Sequence, residues 1–152
     1  MKKKVLCIIH ICDPEGRTLD QALQRADENT QLFIAGICDA REEELLSSQM
    51  SDRSFVGLKQ REEITAFTCM RAEEATKELL DRAVARCKEQ GFDAEGLSRS
   101  GGFLELVHDL SSDIQPSEIL MPRLEQGLFS KLWRGNRTEA IVRSLRYRVT
   151  VC

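Results

Sequence analysis

Two short apolar runs constrain this chain more than any other feature. Val5-Leu6-Cys7-Ile8-Ile9 and Leu32-Phe33-Ile34-Ala35-Gly36-Ile37 are apolar without alternation. A strand with one wet face alternates polar and apolar residues. An unbroken run of this length suits a strand covered on both faces, as in a parallel sheet. Between the runs, Asp13-Pro14-Glu15-Gly16 breaks the chain, and Leu19, Ala22, Leu23 and Ala26 fall on one helical stripe. Thr18 or Asp20 is the expected cap of that helix. Strand, helix and strand in this order begin a doubly wound α/β fold.

The rest of the chain continues the alternation after one interruption. Residues 39–57 are charged and Ser-rich, with Asp39, Arg41 and Glu42 to Glu44, and read as an exposed loop or short helix. A long helical pattern from Leu58 to Gln90 carries Ile64, Phe67, Leu79, Leu80, Ala83, Val84 and Cys87, and Gly91 ends it. Phe92 to Ser98 is a weak third strand. Ser100-Gly101-Gly102 turns into a helix from Phe103 to Leu110, and Pro116 precedes a fourth strand, Ile119 to Met121. Gly135, a last helix and the strand Val149 to Val151 close the chain. The expectation is one domain over 1–152: five strands in a parallel open sheet, with helices on both faces.

Composition excludes several function classes. The net charge of −3 exerts no general pull on nucleic acid or anionic membranes. No apolar run approaches the roughly 20 residues of a membrane span. The basic start Met1 to Lys4 lacks the apolar length and cleavage site of a signal peptide. Six cysteines, at 7, 12, 38, 69, 87 and 152, form no CxxC and match no zinc spacing. Reduced, mostly buried thiols in a cytoplasmic protein are the simple account.

The ending from Gly135 to Cys152 resembles that of the universal stress proteins. Glu139, Ile141, Val142 and Arg143 fall at family-like positions, and Val149-Thr150-Val151-Cys152 forms the final strand. The opening strand, the Gly101-Gly102 turn and the long segment after the second strand also fit. The resemblance implies a Rossmann-like fold of the adenine nucleotide alpha hydrolase type. It also implies a homodimer formed through the last strand, which as an edge must be paired or covered.

Many members of that family bind ATP through G-x2-G-x9-G-(S/T). Counting back from Gly135 places Pro122 and Glu125 where the first two glycines belong, and Asn136 at the Ser/Thr position. Such a loop cradles phosphate with inward N–H groups and no obstructing side chains. Pro122 has no N–H, and Glu125 brings a carboxylate to a polyphosphate site. At the end of the first strand, where the ATP-binding members have an Asp that meets adenine and ribose, this chain has His10. The resemblance is therefore to members without the motif: non-catalytic, without cofactor, acting in stress response through a protein or small-ligand contact. An ATP- or AMP-binding regulator with an altered loop around Gly127 is the alternative. An enzyme of the related hydrolase folds finds no catalytic constellation.

The residues of a remnant nucleotide or anion cleft are His10, Ile37, Gly127, Gly135, Asn136 and Arg137. Arg134 and Arg137 flank a helix start that could take a phosphate, or they belong to a solvated basic face. His10 and Cys12 share a face if the first strand continues that far, but two ligands do not make a metal site, and none is expected. Trp133, with Leu128, Phe129 and Leu132, is either a partner surface or a lid over the cleft.

Overall fold

The computed structural model describes residues 1–11, 13, 16–39, 58–123 and 142–152. Five strands form one parallel sheet: β1 (Lys3–Ile9), β2 (Thr30–Cys38), β3 (Asp93–Ser100), β4 (Glu118–Met121) and β5 (Val149–Val151). Their spatial order is β3-β2-β1-β4-β5. β1 and β2 run in register from Lys3↔Thr30 to Ile9↔Gly36, and β4 enters on the other side with Leu6↔Ile119. Helices α1 (Arg17–Arg25), α2 (Leu58–Glu89) and α3 (Phe103–Ile114) connect them. Residues 142–144 are helical, and the rest of the expected last helix lies outside the described residues.

The unbroken apolar runs do what their pattern requires. On β1, Val5, Cys7 and Ile9 face one core with Leu32, Ile34 and Leu120. Leu6 and Ile8 face a second core with Phe33, Ala35, Ile37 and Ile119. α1 covers the first core with Leu19, Ala22 and Leu23. α2 joins it through buried Thr76, Leu80, Ala83 and Cys87, a stripe at helical spacing. α3 covers the second core with Phe103, Val107, Leu110 and Ile114.

α2 seats unusually close to the sheet at two glycines. A Cβ on Gly36 would stand 3.0 Å from Thr76 Cγ2, and one on Gly96 would stand 2.9 Å from Val84 Cγ2. Further toward its start, α2 meets the last residue of β3, where Ser100 Oγ donates to Glu73 Oε1 at 3.1 Å. Residues 58–72 continue the helix past that point by about 22 Å at 1.5 Å per residue. Phe67 and Met70 on this stretch are exposed.

A buried carboxylate ties the other end of the sheet together. Glu118, at the start of β4, accepts from Arg25 Nη1 of α1 and from Thr150 Oγ1 of β5 at 2.8 Å. Arg148 lies 3.9 Å from the same oxygen. One side chain thus joins α1, β4 and β5.

Some expectations need correction. The third strand is Asp93–Ser100, not Phe92 to Ser98. Asp39 is not part of an exposed loop: it follows β2 directly and is only 4% exposed. α3 runs a turn beyond Leu110, to Ile114. The first strand stops at Ile9, and the Asp13 amide donates to the His10 carbonyl in a turn, so His10 does not continue the strand toward Cys12. Cys12 itself lies outside the described residues.

Candidate functional site at the carboxyl edge of the sheet

Chain connections leave β1 toward β2 on one side, while β4 lies on the other. In open α/β sheets a ligand crevice opens beyond the strand ends at such a reversal. Here that edge is formed by the ends of β1, β2 and β4, the turn into α1, and the turn into α3.

The turn into α1 is built around Asp13. Gly16, with φ of 72°, takes the left-handed conformation that glycine adopts freely. Its amide donates to the Asp13 carbonyl at 3.1 Å. Asp13 Oδ1 then accepts from the Arg17 amide at 3.2 Å, and Oδ2 accepts from the Thr18 amide at 3.0 Å and Thr18 Oγ1 at 2.9 Å. Neither Thr18 nor Asp20 is the cap. Asp13 fills that role from outside the helix, and Thr18 is a buried donor to it. The local signal was an Asp three residues before a glycine and five before a threonine.

α3 starts without a capping side chain of its own, because Gly102 holds the N-cap position. Gly101, at φ of 147°, makes the turn, and its amide donates to the Cys38 carbonyl at 3.0 Å. The acceptor comes from a different strand end: the Phe103 amide donates to Asp39 Oδ2 at 3.3 Å. No local pattern signals this, since 64 residues separate the two.

Among the described residues, the N-termini of α1 and α3 at this edge therefore each meet a carboxylate, and each carboxylate is a side chain of this protein. A helix N-terminus attracts negative charge through its exposed N–H groups and dipole. Asp13 and Asp39 satisfy that demand at the starts of α1 and α3.

The candidate residues from the sequence are placed as follows. His10 is buried, and its ring meets the Phe103 ring edge-on, with centroids 6.2 Å apart. Ile37 is buried in the core on the α3 side. Pro122 is buried immediately after β4. Beyond it the ladder to β5 closes with Cys152 donating to Met121 at 2.9 Å and Arg123 donating to Cys152 at 3.0 Å. Glu125, Gly127, Leu128, Phe129, Leu132, Trp133, Arg134, Gly135, Asn136 and Arg137 lie outside the described residues.

A pocket of ≈ 140 Å³ opens on the α1 and α2 side, lined by Ile9, Asp13, Gly16, Leu19, Leu79, Arg82, Ala83 and Arg86. A second, of ≈ 270 Å³, lies between α2 and the end of β3. Both are smaller than the several hundred cubic ångströms usual for a small-molecule site. Among the described residues no His, Cys, Asp or Glu cluster is arranged for a metal ion, and no helix is long and apolar enough to cross a membrane. Burial pushes the Cys7, Cys87 and Cys152 thiols above their ordinary pKa, which leaves them poor nucleophiles.

The sequence matches no protein-family model and no curated protein. Solved structures share its fold over nearly the whole length. The hypothetical protein MJ0577 superposes with a TM-score of 0.73 at 16% identity, covering 99% of this chain and 95% of that one. A universal stress protein family member from Burkholderia pseudomallei gives 0.65 at 19% identity, over 99% and 95%. A universal stress protein in complex with cAMP gives 0.62 at 15% identity, over 99% and 96%. The chain has the universal stress protein fold, with its five-stranded parallel sheet.

Proposed function

We propose that this chain is a non-catalytic protein of the universal stress protein type that does not bind ATP. It works in the cytoplasm as a homodimer joined through β5, contacting a protein or small ligand during stress. The observation that carries the reading is Pro122. It stands buried at the end of β4, where the family's phosphate loop begins with a glycine, and it has no N–H to offer. Asp13 and Asp39 support it, because they place carboxylates at the starts of α1 and α3. For the dimer, the support is the half-buried edge strand Val149–Val151 at one end of the sheet.

One observation favours a second reading. A structural neighbour is a universal stress protein in complex with cAMP. By analogy, an adenine nucleotide would sit in an altered loop built from Gly127, Gly135, Asn136 and Arg137. Thermal denaturation with millimolar ATP, AMP and cAMP separates the two. The first reading expects an unchanged melting temperature. A rise of several degrees with any of the three selects the second, since a ligand of the native state stabilises by mass action. The dimer reading expects sedimentation at twice the 17.3 kDa chain mass, and a monomer at every concentration overturns it.

A further inference from the structure

β3 ends the sheet on the side opposite β5, and among the described residues it pairs with β2 alone. Its side chains alternate between two faces. Ala94 packs in the core beneath α2, and Gly96 lies against Val84 and Leu80 of α2. Leu97 packs on the opposite core, so Glu95, Leu97 and Arg99 share that second face. Glu95 and Arg99 are exposed and Leu97 is half-buried. An acid and a base thus stand two residues to either side of a leucine, on one face of an open edge.

We propose that β3 is a second self-association surface, where another copy of this chain pairs antiparallel about a two-fold axis through Leu97. In that register Glu95 lies opposite the partner subunit's Arg99, Arg99 lies opposite the partner subunit's Glu95, and the two leucines meet between them. Opposite charges directly across an antiparallel pair stabilise it, as does apolar contact between them. The other face brings Gly96 to the partner subunit's Ser98 and Ala94 to the partner subunit's Ser100, all small. Centring on Gly96 instead sets Leu97 against a glutamate. It also needs Asp93, which is already bonded to Lys2 Nζ at 2.9 Å.

In the separate chain Arg99 Nη1 donates to the neighbouring Ser98 carbonyl at 2.9 Å. The guanidinium folds over the open edge and shields it, a common protection against indiscriminate strand pairing. Association exchanges that carbonyl for a carboxylate. The charges that repel other edges thereby select a copy of the same strand. An eight-residue strand pair is a small interface, so the association is weak and depends on concentration.

Charge exchange tests the register. Sedimentation velocity from micromolar to millimolar protein should show the wild-type mass rising beyond any species joined at β5. Glu95→Arg alone, or Arg99→Glu alone, should abolish that rise, because each sets like charges opposite one another. An equimolar mixture of the two variants should restore it, as should the double variant E95R/R99E. Both positions are exposed, so unchanged circular dichroism and melting serve as the folding control. The proposal is overturned if wild type shows no rise, if the single variants match wild type, or if the mixture fails to restore association. The readout is independent of nucleotide and of β5, so it stands or falls apart from the function proposed above.

Discussion

Asp39 Oδ2 stands 3.3 Å from the Phe103 amide nitrogen, so the end of β2 supplies the cap that α3 lacks. The first helical bond, Leu106 amide to Gly102 carbonyl at 3.0 Å, follows directly. Replacing Asp39 with Ala should cost about 1 kcal/mol, the usual worth of an N-cap, and Asp39→Asn should cost less because an acceptor remains. Urea denaturation measures both, and equal costs would remove the capping role.

The seat of α2 on Gly36 makes a second prediction. Its missing side chain leaves room for Thr76, and a branched residue must push the helix off the sheet. Gly36→Val is expected to cost about 1–3 kcal/mol, as overpacking does. A variant as stable as wild type would show that the close approach is dispensable.

Glu118 is buried at 5% exposure, and Arg25 is the principal cation beside it. Arg25→Met strands the carboxylate and should destabilise by about 1–3 kcal/mol, a range lowered because Arg25 is partly in water. The double variant Arg25→Met/Glu118→Leu should recover much of that loss. A double-mutant cycle showing simple additivity would deny the coupling.

Burial, more than the nearby Cys87, Cys152 and Asp13, raises the Cys7 thiol well above its ordinary pKa. The unfolded thiol ionises near about 8.5 and the folded one does not, so the unfolded state gains at alkaline pH. Stability should be complete below that pH and decline above it, and Cys7→Ala should flatten the decline. Iodoacetamide should leave Cys7 unmodified until the protein unfolds; labelling in the native state would contradict its burial.

At acid pH the sign reverses for Asp27. The Thr30 hydroxyl donates to its carboxylate at 2.7 Å, with the Asn29 amide at 3.0 Å, and holds its pKa below the usual value. Its contribution is present above the unfolded carboxylate pKa and lost as pH falls through the folded one. A carbon-detected NMR titration should show Asp27 protonating below the ordinary aspartate pKa. Thr30→Val should move its midpoint upward, and an unmoved midpoint would remove the Thr30 hydroxyl as the main cause.

The sheet was legible because both faces of β1 and β2 are covered, which removes the alternation that water would impose. β3 was weaker because it is an edge strand, and Gly96 and Ser98 replace the branched residues of a central one. The end of α3 was missed for a local reason. Ser111-Ser112-Asp113 lie past the expected end at Leu110, but Ser111 Oγ donates to the Val107 carbonyl at 2.6 Å and Ser112 Oγ to that of His108 at 2.9 Å. These serines bond back along the helix rather than ending it. At the ends of β1 and β4, His10 and Pro122 could be placed by counting along the sequence. Asp39 could not, because its partner is distant in the chain and its neighbours look like the start of a charged loop.

The length of α2 has a mechanical consequence. Its later half is clamped to β2 and β3 at Gly36 and Gly96, while residues 58–72 reach beyond the sheet with Phe67 and Met70 in the open. The seat and the arm are thus separate stretches of one helix. The arm can be loaded or substituted at Phe67 and Met70 without touching the contacts that Thr76 and Val84 make with the sheet.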